Sequence, residues 1–253
     1  MLTVPQMDFL KRLDDEEISL FTVKEFTSDT ENLNEIVENL AHKGFLHRLE
    51  RGKYCRSTFR DEYVIGTFIA SDSAIAYWSA LNLHGLTEQF PNTIFVQTTY
   101  RKNPVTVFGT EYQFVRINPQ KKAGIAFNGH GNYRYTVTDL EKTLVDCFDL
   151  PQYSGGYSEL IRAFYRAELS ADKLINYCIT VDNTSVTKRM GFLSELFHKK
   201  ELLPFTEFAR TKVNRSYNLF DPFGDNRGDP DSRWYLRLNL SKESILKIAE
   251  NHY

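Results

Sequence analysis

The sequence of 253 residues has few cysteines, no long apolar run and almost no net charge, and each scarcity excludes a class of protein. Its three cysteines, Cys55, Cys147 and Cys178, are too far apart for the close pairs that zinc sites and redox motifs require. We therefore expect three reduced thiols. The net charge of −2 excludes a generally basic coat, so any contact with DNA must come from a local patch.

Signals for membranes, cofactors and nucleotides are also missing from the sequence. Residues 1–17 become charged early and contain no apolar signal-peptide core, and no apolar run approaches the length of about 20 residues that spans a bilayer. We therefore expect a cytoplasmic protein without a membrane partner. The sequence contains no phosphate-binding Gly-Lys-Ser/Thr loop, and its Ser, Cys and His residues are scattered. We expect no metal, no cofactor and no catalytic residues.

The stretch from Thr30 to Arg60 combines a helix pattern with a hairpin pattern. Gly44 is placed to end the helix, and Glu50-Arg51-Gly52 lies between two short apolar segments, which predicts a hairpin turn. Apolar residues recur before Gly44 at the spacing of one helix face: Leu33, Ile36, Val37 and Leu40.

Two further helices are predicted upstream of this stretch. Pro5 suits the first turn of a helix over residues 5–17, and Thr22 with Glu25 has the pattern of a capping box that opens a short second helix. Asp29 or Thr30 is expected to cap the third helix. Three helices followed by a hairpin predict a winged helix-turn-helix.

Local charge supports contact between this predicted module and DNA. Between His42 and Arg60 there are six Lys or Arg residues against Glu50 alone, a balance of +5. Basic side chains on a hairpin neutralise phosphates, and Asn side chains on the preceding helix read adenine edges. The candidate DNA-binding residues are Lys24, Asn32, Asn34, Asn39, His42, Lys43, His47, Arg48, Arg51, Lys53, Arg56 and Arg60.

Acidic residues oppose that interpretation on the predicted third helix. Residues 1–41 hold three Lys or Arg against ten Asp or Glu, and Glu31, Glu35 and Glu38 lie on or beside the helix. Such a surface is a poor match for a phosphate backbone. Either the wing carries most of the DNA contact, or the module docks a protein.

The remainder of the chain mixes helix and strand patterns. Residues 93–137 alternate with a period of two, whereas residues 60–90 and 139–250 are mainly helical in pattern. Asp139 and Ser170 are placed to cap two of the later helices. We predict an α+β fold with a winged helix-turn-helix at residues 1–58. A larger C-terminal domain at residues 59–253 would contain a mostly antiparallel sheet and several helices.

Four groups of motifs, which together span nearly the whole chain, resemble the AbiEi family, the antitoxins of type IV toxin–antitoxin systems linked to abortive phage infection. The first two are Lys43-Gly44-Phe45-Leu46 with Arg51-Gly52-Lys53-Tyr54, and Tyr77-Trp78-Ser79-Ala80-Leu81-Asn82-Leu83-His84-Gly85-Leu86-Thr87-Glu88-Gln89, followed by Pro91. The other two are Thr138-Asp139-Leu140-Glu141-Lys142-Thr143-Leu144-Val145-Asp146 with Gly155-Gly156, and Arg189-Met190-Gly191 with Asp221-Pro222 and Ser232-Arg233-Trp234.

The resemblance implies a two-part regulator that is not an enzyme. The winged helix would bind inverted repeats in double-stranded DNA upstream of the operon and repress transcription. The C-terminal domain would counter a nucleotidyltransferase-like toxin, without needing to touch it. The alternative is a protein-docking adaptor, or a nucleic-acid-processing enzyme whose activity lies in the C-terminal domain.

Three other groups of residues admit both a functional and a structural interpretation. Tyr77, Trp78 and His84 would stack bases in a pocket, but aromatic residues at helical spacing are normally core. Asp139, Glu141 and Lys142 would serve a nuclease only on a strand, whereas here they open a helix and are explained by capping. A late basic group would extend the DNA footprint, dock a partner or form a solvated helix face: Lys188, Arg189, His198, Lys199, Lys200, Arg210, Lys212 and Arg215.

Overall fold

A computed structural model describes residues 1–26, 32–89 and 92–251, and these confirm the predicted α+β class. The helices are α1 (Val4–Asp15), α2 (Leu33–His42), α3 (Glu62–Ile69), α4 (Tyr77–Leu83), α5 (Leu140–Asp149), α6 (Tyr157–Arg166), α7 (Ala171–Val181), α8 (Thr184–Leu196), α9 (Leu203–Thr211) and α10 (Lys242–Glu250). The strands are β1 (Leu20–Thr22), β2 (Leu46–Glu50), β3 (Lys53–Arg56), β4 (Ala74–Ile75), β5 (Thr93–Thr98), β6 (Val105–Val107), β7 (Thr110–Arg116), β8 (Ile125–Asn128), β9 (Tyr135–Thr138), β10 (Asn218–Leu219), β11 (Asp229–Asp231) and β12 (Leu236–Leu238).

The N-terminal elements follow the predicted order with two differences. The capping pair is present, because Thr22 N donates to Glu25 Oε2 at 3.1 Å, but it opens a single 3-10 turn, Val23–Glu25, where a short helix was predicted. Strand β1 precedes that turn and was not predicted. The expected caps Asp29 and Thr30, like Pro91 further on, lie outside the described residues.

The first sheet has both of its faces buried. Its strands are antiparallel in the order β1-β3-β2, and successive side chains along a strand point to opposite faces. One face packs on the core of α1 and α2 through Phe21, Leu46 and Tyr54. The other face packs on α3 and a second sheet through Leu20, Leu49 and Cys55. The β2–β3 hairpin is therefore a layer between the two parts of the molecule.

The second sheet has six strands in the order β6-β7-β5-β4-β9-β8 and is mixed. The pairs β6–β7, β4–β5 and β8–β9 are antiparallel, whereas β5–β7 and β4–β9 are parallel. The mostly antiparallel sheet that was predicted thus contains two parallel pairings. One face of this sheet packs against α3 and the hairpin, and the other face packs against the large helical core of α4 to α10. Among the described residues, no helix is both long enough and apolar enough to cross a membrane.

Helix α5 lies at the centre of the helical core and carries a buried ion pair. Its predicted cap is confirmed, since Asp139 Oδ1 accepts a hydrogen bond from Lys142 N at 2.9 Å. Ser170 likewise caps α7. Lys142 Nζ binds Asp146 Oδ1 one turn further on, with side-chain exposures of 0% and 5%. Burial raises the pKa of Asp146 to about 6 although the Lys142 charge opposes the change.

Removing one partner of this ion pair is expected to lower the free energy of unfolding more than removing both partners. Lys142→Met leaves a buried carboxylate without its cation and should lower the free energy of unfolding by about 3–5 kcal/mol. The double variant Lys142→Met/Asp146→Leu removes both charges and should recover most of that loss. Urea unfolding of the two variants measures the difference. Equal stability of the single and double variants would contradict the assigned pairing.

Candidate nucleic-acid interface

The predicted DNA-binding residues surround α2 and the β2–β3 hairpin. The predicted stripe of α2 is confirmed, because Leu33, Ile36, Val37 and Leu40 are all buried. Its outer face presents Asn34 and His42, with Asn39 half-buried. Asn32 is exposed just before the helix, with a φ of +55°, and Lys24 is exposed in the 3-10 turn.

Arg48 and Arg51 are the predicted hairpin cations that remain available. Both residues are exposed, and neither side chain forms a hydrogen bond or ion pair within the described part of the chain. Arg48 lies on β2 beside the outer face of α2, where it shares a cleft with Glu38 and His42. Arg51 occupies the turn itself. These two guanidinium groups keep their full capacity for phosphate oxygens.

Three other predicted DNA-binding residues, Lys43, Arg56 and Lys53, have partners within the protein. Lys43 Nζ donates to Met1 O at 2.9 Å and to Gln6 Oε1 at 2.7 Å. Arg56 Nη2 forms an ion pair with Asp14 Oδ1 at 2.5 Å. The hairpin and the end of α2 are thereby tied to α1.

Lys53 ties the hairpin to the other part of the molecule. Its Nζ donates to the carbonyl oxygens of Phe68 and Ile69, at 3.0 and 2.7 Å, and pairs with Glu50 Oε1 at 3.0 Å. The two carbonyls lie at the C-terminal end of α3, where unpaired carbonyls and the helix dipole both attract a cation. Lys53 is therefore a structural residue.

The other oxygen of Glu50 accepts a hydrogen bond from Lys102, which the sequence did not indicate. Burial acts to raise the pKa of Glu50, but the bonds from Lys102 and Lys53 outweigh it and lower the pKa. Lys102 precedes β6 and is far from the hairpin in sequence. Its neighbour Arg101 is exposed. In the sequence, the only indication of this contact is the pair of basic residues, Arg101 and Lys102.

His47 and Arg60 pack against one aromatic ring. The rings of His47 and Phe108 have centroids 4.1 Å apart, and Arg60 Cζ lies 3.7 Å above the same ring. Burial and then the Arg60 charge lower the pKa of His47. Phe108 lies at the β6–β7 turn, so this contact joins the hairpin to the second sheet. His47 is accordingly a packing residue, whereas Arg60 remains exposed.

Acidic side chains on α2 reduce the positive field of the site. Glu35 and Glu38 are exposed on the same helix as Asn34, as the sequence indicated. Because Lys43, Lys53 and Arg56 are bound internally, fewer cations are available to phosphates than the count along the sequence suggests. Contact with a duplex must then depend on few guanidinium groups.

The other predicted groups are parts of the fold. Tyr77 is 1% exposed, and His84 Nε2 lies 2.8 Å from Thr138 O, so the two do not form a stacking pocket. The capping interpretation is confirmed for Asp139, whereas Glu141 accepts a hydrogen bond from the distant Ser170 N at 2.9 Å. Within residues 1–26, 32–89 and 92–251, no group of three or more His, Cys, Asp or Glu side chains is placed to hold a metal ion.

The late basic group divides into buried and exposed members. Lys188 Nζ donates to Ser216 O at 2.6 Å, and burial and then the Arg189 charge lower its pKa to about 8. Arg189 donates through Nε and Nη2 to Leu219 O at 3.1 and 2.9 Å. Both side chains stabilise the β10–β12 region, so the prediction that they lie on a surface was wrong. Arg210 and Lys200 line a separate cleft.

Comparison with known proteins supports the fold and leaves the function open. No family model matches the chain, and no curated protein matches it. Among solved structures the chain is similar to the RV2827C protein from Mycobacterium tuberculosis, with a TM-score of 0.68 at 14% identity. That match covers 99% of this chain and 96% of the other. Similarity at this level shows a shared fold and does not transfer a function.

Lys53 and Arg51 offer a matched test of which hairpin cations are structural. Lys53→Met removes two hydrogen bonds from α3 and should lower the free energy of unfolding by about 1–3 kcal/mol. Arg51→Met removes the same charge two positions away and should change it by no more than about 0.5 kcal/mol. Urea denaturation provides the measurement. Equal losses in both variants would refute the assignment of Lys53.

Proposed function

We propose that this chain binds double-stranded DNA through the outer face of α2 and the adjacent hairpin, and represses its own operon. The observation that carries the proposal is the exposure of Arg48 and Arg51, which have no side-chain partner within residues 1–26, 32–89 and 92–251, beside an amphipathic helix with exposed polar residues. Arg48 and Arg51 would contact phosphates, and Asn34 and His42 would approach base edges. Arg101 would extend the contact along the backbone.

The role of the remaining residues is proposed from the resemblance to AbiEi antitoxins. In that scheme the part of the chain after residue 58 counters a nucleotidyltransferase-like toxin. Its test is independent of DNA binding. Expression of the neighbouring reading frame should arrest growth, and co-expression of this chain carrying Arg48→Ala and Arg51→Ala should still relieve the arrest. If the arrest were relieved by the unsubstituted chain and not by this variant, the division of roles would be contradicted.

A docking role for the same face is the second candidate, and Glu35 and Glu38 favour it. If α2 approaches DNA, removing their charges reduces repulsion, so Glu35→Gln/Glu38→Gln should tighten duplex binding. If α2 docks a protein, this variant should leave duplex binding unchanged. A stable complex with the neighbouring gene product, in the absence of any shift of promoter DNA, would support docking.

Removing the two free arginines should weaken duplex binding and lower its dependence on salt. Each lost phosphate contact reduces the slope of log K against log salt by about 0.9, so Arg48→Ala/Arg51→Ala should reduce it by about 2. Mobility-shift titrations with the upstream inverted repeats, at several salt concentrations, measure both quantities.

The control variant removes the same charge elsewhere. Arg215→Ala/Lys247→Ala changes two exposed cations that have no partner within the described residues and lie outside the proposed interface. Its affinity and salt slope should match those of the unsubstituted chain. Equal weakening in both double variants would show a general effect of charge and refute the assignment to Arg48 and Arg51.

A further inference from the structure

A cleft of about 510 Å³ lies between the C-terminal end of α8 and helix α9, on the part of the chain remote in sequence from α2. Its volume falls within the range of small-molecule sites, roughly 300–1,000 Å³. Four Lys or Arg side chains and His198 line the cleft, and Leu203, which is 57% exposed, supplies an apolar wall. The proposal for DNA binding uses none of these residues.

Two arginines at this cleft are held in place by one carboxylate. Arg210 Nη2 and Arg233 Nη2 each lie 2.7 Å from Glu195 Oε1. The other oxygen, Glu195 Oε2, accepts a hydrogen bond from Trp234 Nε1 at 2.7 Å. Trp234 is 1% exposed, so it fixes the carboxylate from the interior. Glu195 therefore orients both guanidinium groups before any ligand arrives.

The arginines retain most of their hydrogen-bonding capacity. A guanidinium group has five N–H donors, and Glu195 engages one nitrogen of each. The side chain of Arg233 is 57% exposed and that of Arg210 is 35% exposed. Two pre-oriented guanidinium groups with free donors match the geometry of phosphate oxygens, which accept bidentate bonds.

The remaining charged side chains at the cleft leave a positive excess that favours an anion. Lys200 is exposed and has no partner within the described residues, and His198 is exposed beside it. Lys199 is occupied, because its Nζ donates to Ala167 O at 2.8 Å and lies 3.6 Å from Glu201. Glu207 also lines the cleft, but Arg210, Arg233 and Lys200 together exceed Glu195 and Glu207 by one positive charge.

We propose that this cleft binds a small phosphate-bearing ligand, with the phosphates at Arg210, Arg233 and Lys200 and the organic part of the ligand against Leu203. Nucleotides and inorganic pyrophosphate share the chemistry that the cleft recognises. An organic part that packs on Leu203 would make a nucleotide bind more tightly than pyrophosphate. The site does not depend on the proposed DNA interface.

Ligand binding can be followed through the indole of Trp234, which donates a hydrogen bond to Glu195. The chain contains two tryptophans, so Trp78→Phe leaves Trp234 as the single indole. In that background, Trp234 fluorescence is followed during titration with ATP, pyrophosphate or adenosine at constant ionic strength, and equilibrium dialysis with labelled ATP measures binding independently. Saturable binding of ATP and pyrophosphate, with none of adenosine, is the expected result. Tighter binding of ATP than of pyrophosphate would assign the nucleotide as the ligand source.

Matched substitutions separate the site from general charge effects. Arg233→Gln and Lys200→Ala should each weaken binding at least about tenfold, which is the loss expected for one charge-assisted contact. Glu195 keeps two donors in Arg233→Gln, and Lys200 has no partner to lose among the described residues, so both variants should unfold like the parent chain. Arg215→Gln and Lys247→Ala remove equivalent exposed charges elsewhere and should change affinity by less than about twofold.

Three outcomes would overturn the proposal. The first is the absence of saturable binding of labelled ATP in dialysis. The second is equal weakening in the cleft variants and the control variants. The third is loss of duplex binding in Arg233→Gln, which would assign the cleft to the DNA interface.

Discussion

The arrangement of the molecule depends on the alternation of side chains along three short strands. Phe21, Leu46 and Tyr54 point to one face of the first sheet, and Leu20 and Cys55 point to the other. Because a strand offers only two faces, both of which are apolar here, each must be covered by a different layer. The hairpin is consequently held between α1 and α2 on one side and α3 with the six-stranded sheet on the other.

The position of the hairpin between these two layers decides which of its cations remain available to a ligand. Lys53 and Arg56 lie on β3, whose side chains alternate between the two layers, so their charges reach carbonyl and carboxylate oxygens on either side. Arg51 lies in the turn, beyond the strands, and Arg48 lies beside an irregularity in the β2 register. A count of charge along the sequence treats these four residues alike. The packing separates them into two that bind other parts of the fold and two whose side chains have no partner among the residues that the structure describes.

Local features were predictable from the sequence because their physical causes are local. The Thr22–Glu25 pair, the Asp139 cap, the stripe of α2 and the Gly-containing hairpin turn each involve residues within a few positions of one another. The same reasoning failed where partners are distant. Lys102 reaches Glu50 from 52 positions away, Lys188 reaches carbonyls up to 47 positions away, and β4 pairs in parallel with β9. Pairings over such separations are set by the assembled core, and no local pattern encodes them.

Several motif residues that carry the resemblance to AbiEi antitoxins are explained by their packing and hydrogen bonds within the fold. A Cβ at Gly191 would lie 2.5 Å from the ring of Trp234, and one at Gly155 would lie 2.6 Å from the ring of Trp78. Asp139 caps α5, and Arg189 binds a backbone carbonyl. A chain can keep all of these residues, and with them the fold, while exchanging the exposed Arg48 and Arg51. The resemblance therefore supports the architecture more strongly than the DNA contact, and the DNA-binding proposal depends on those two arginines.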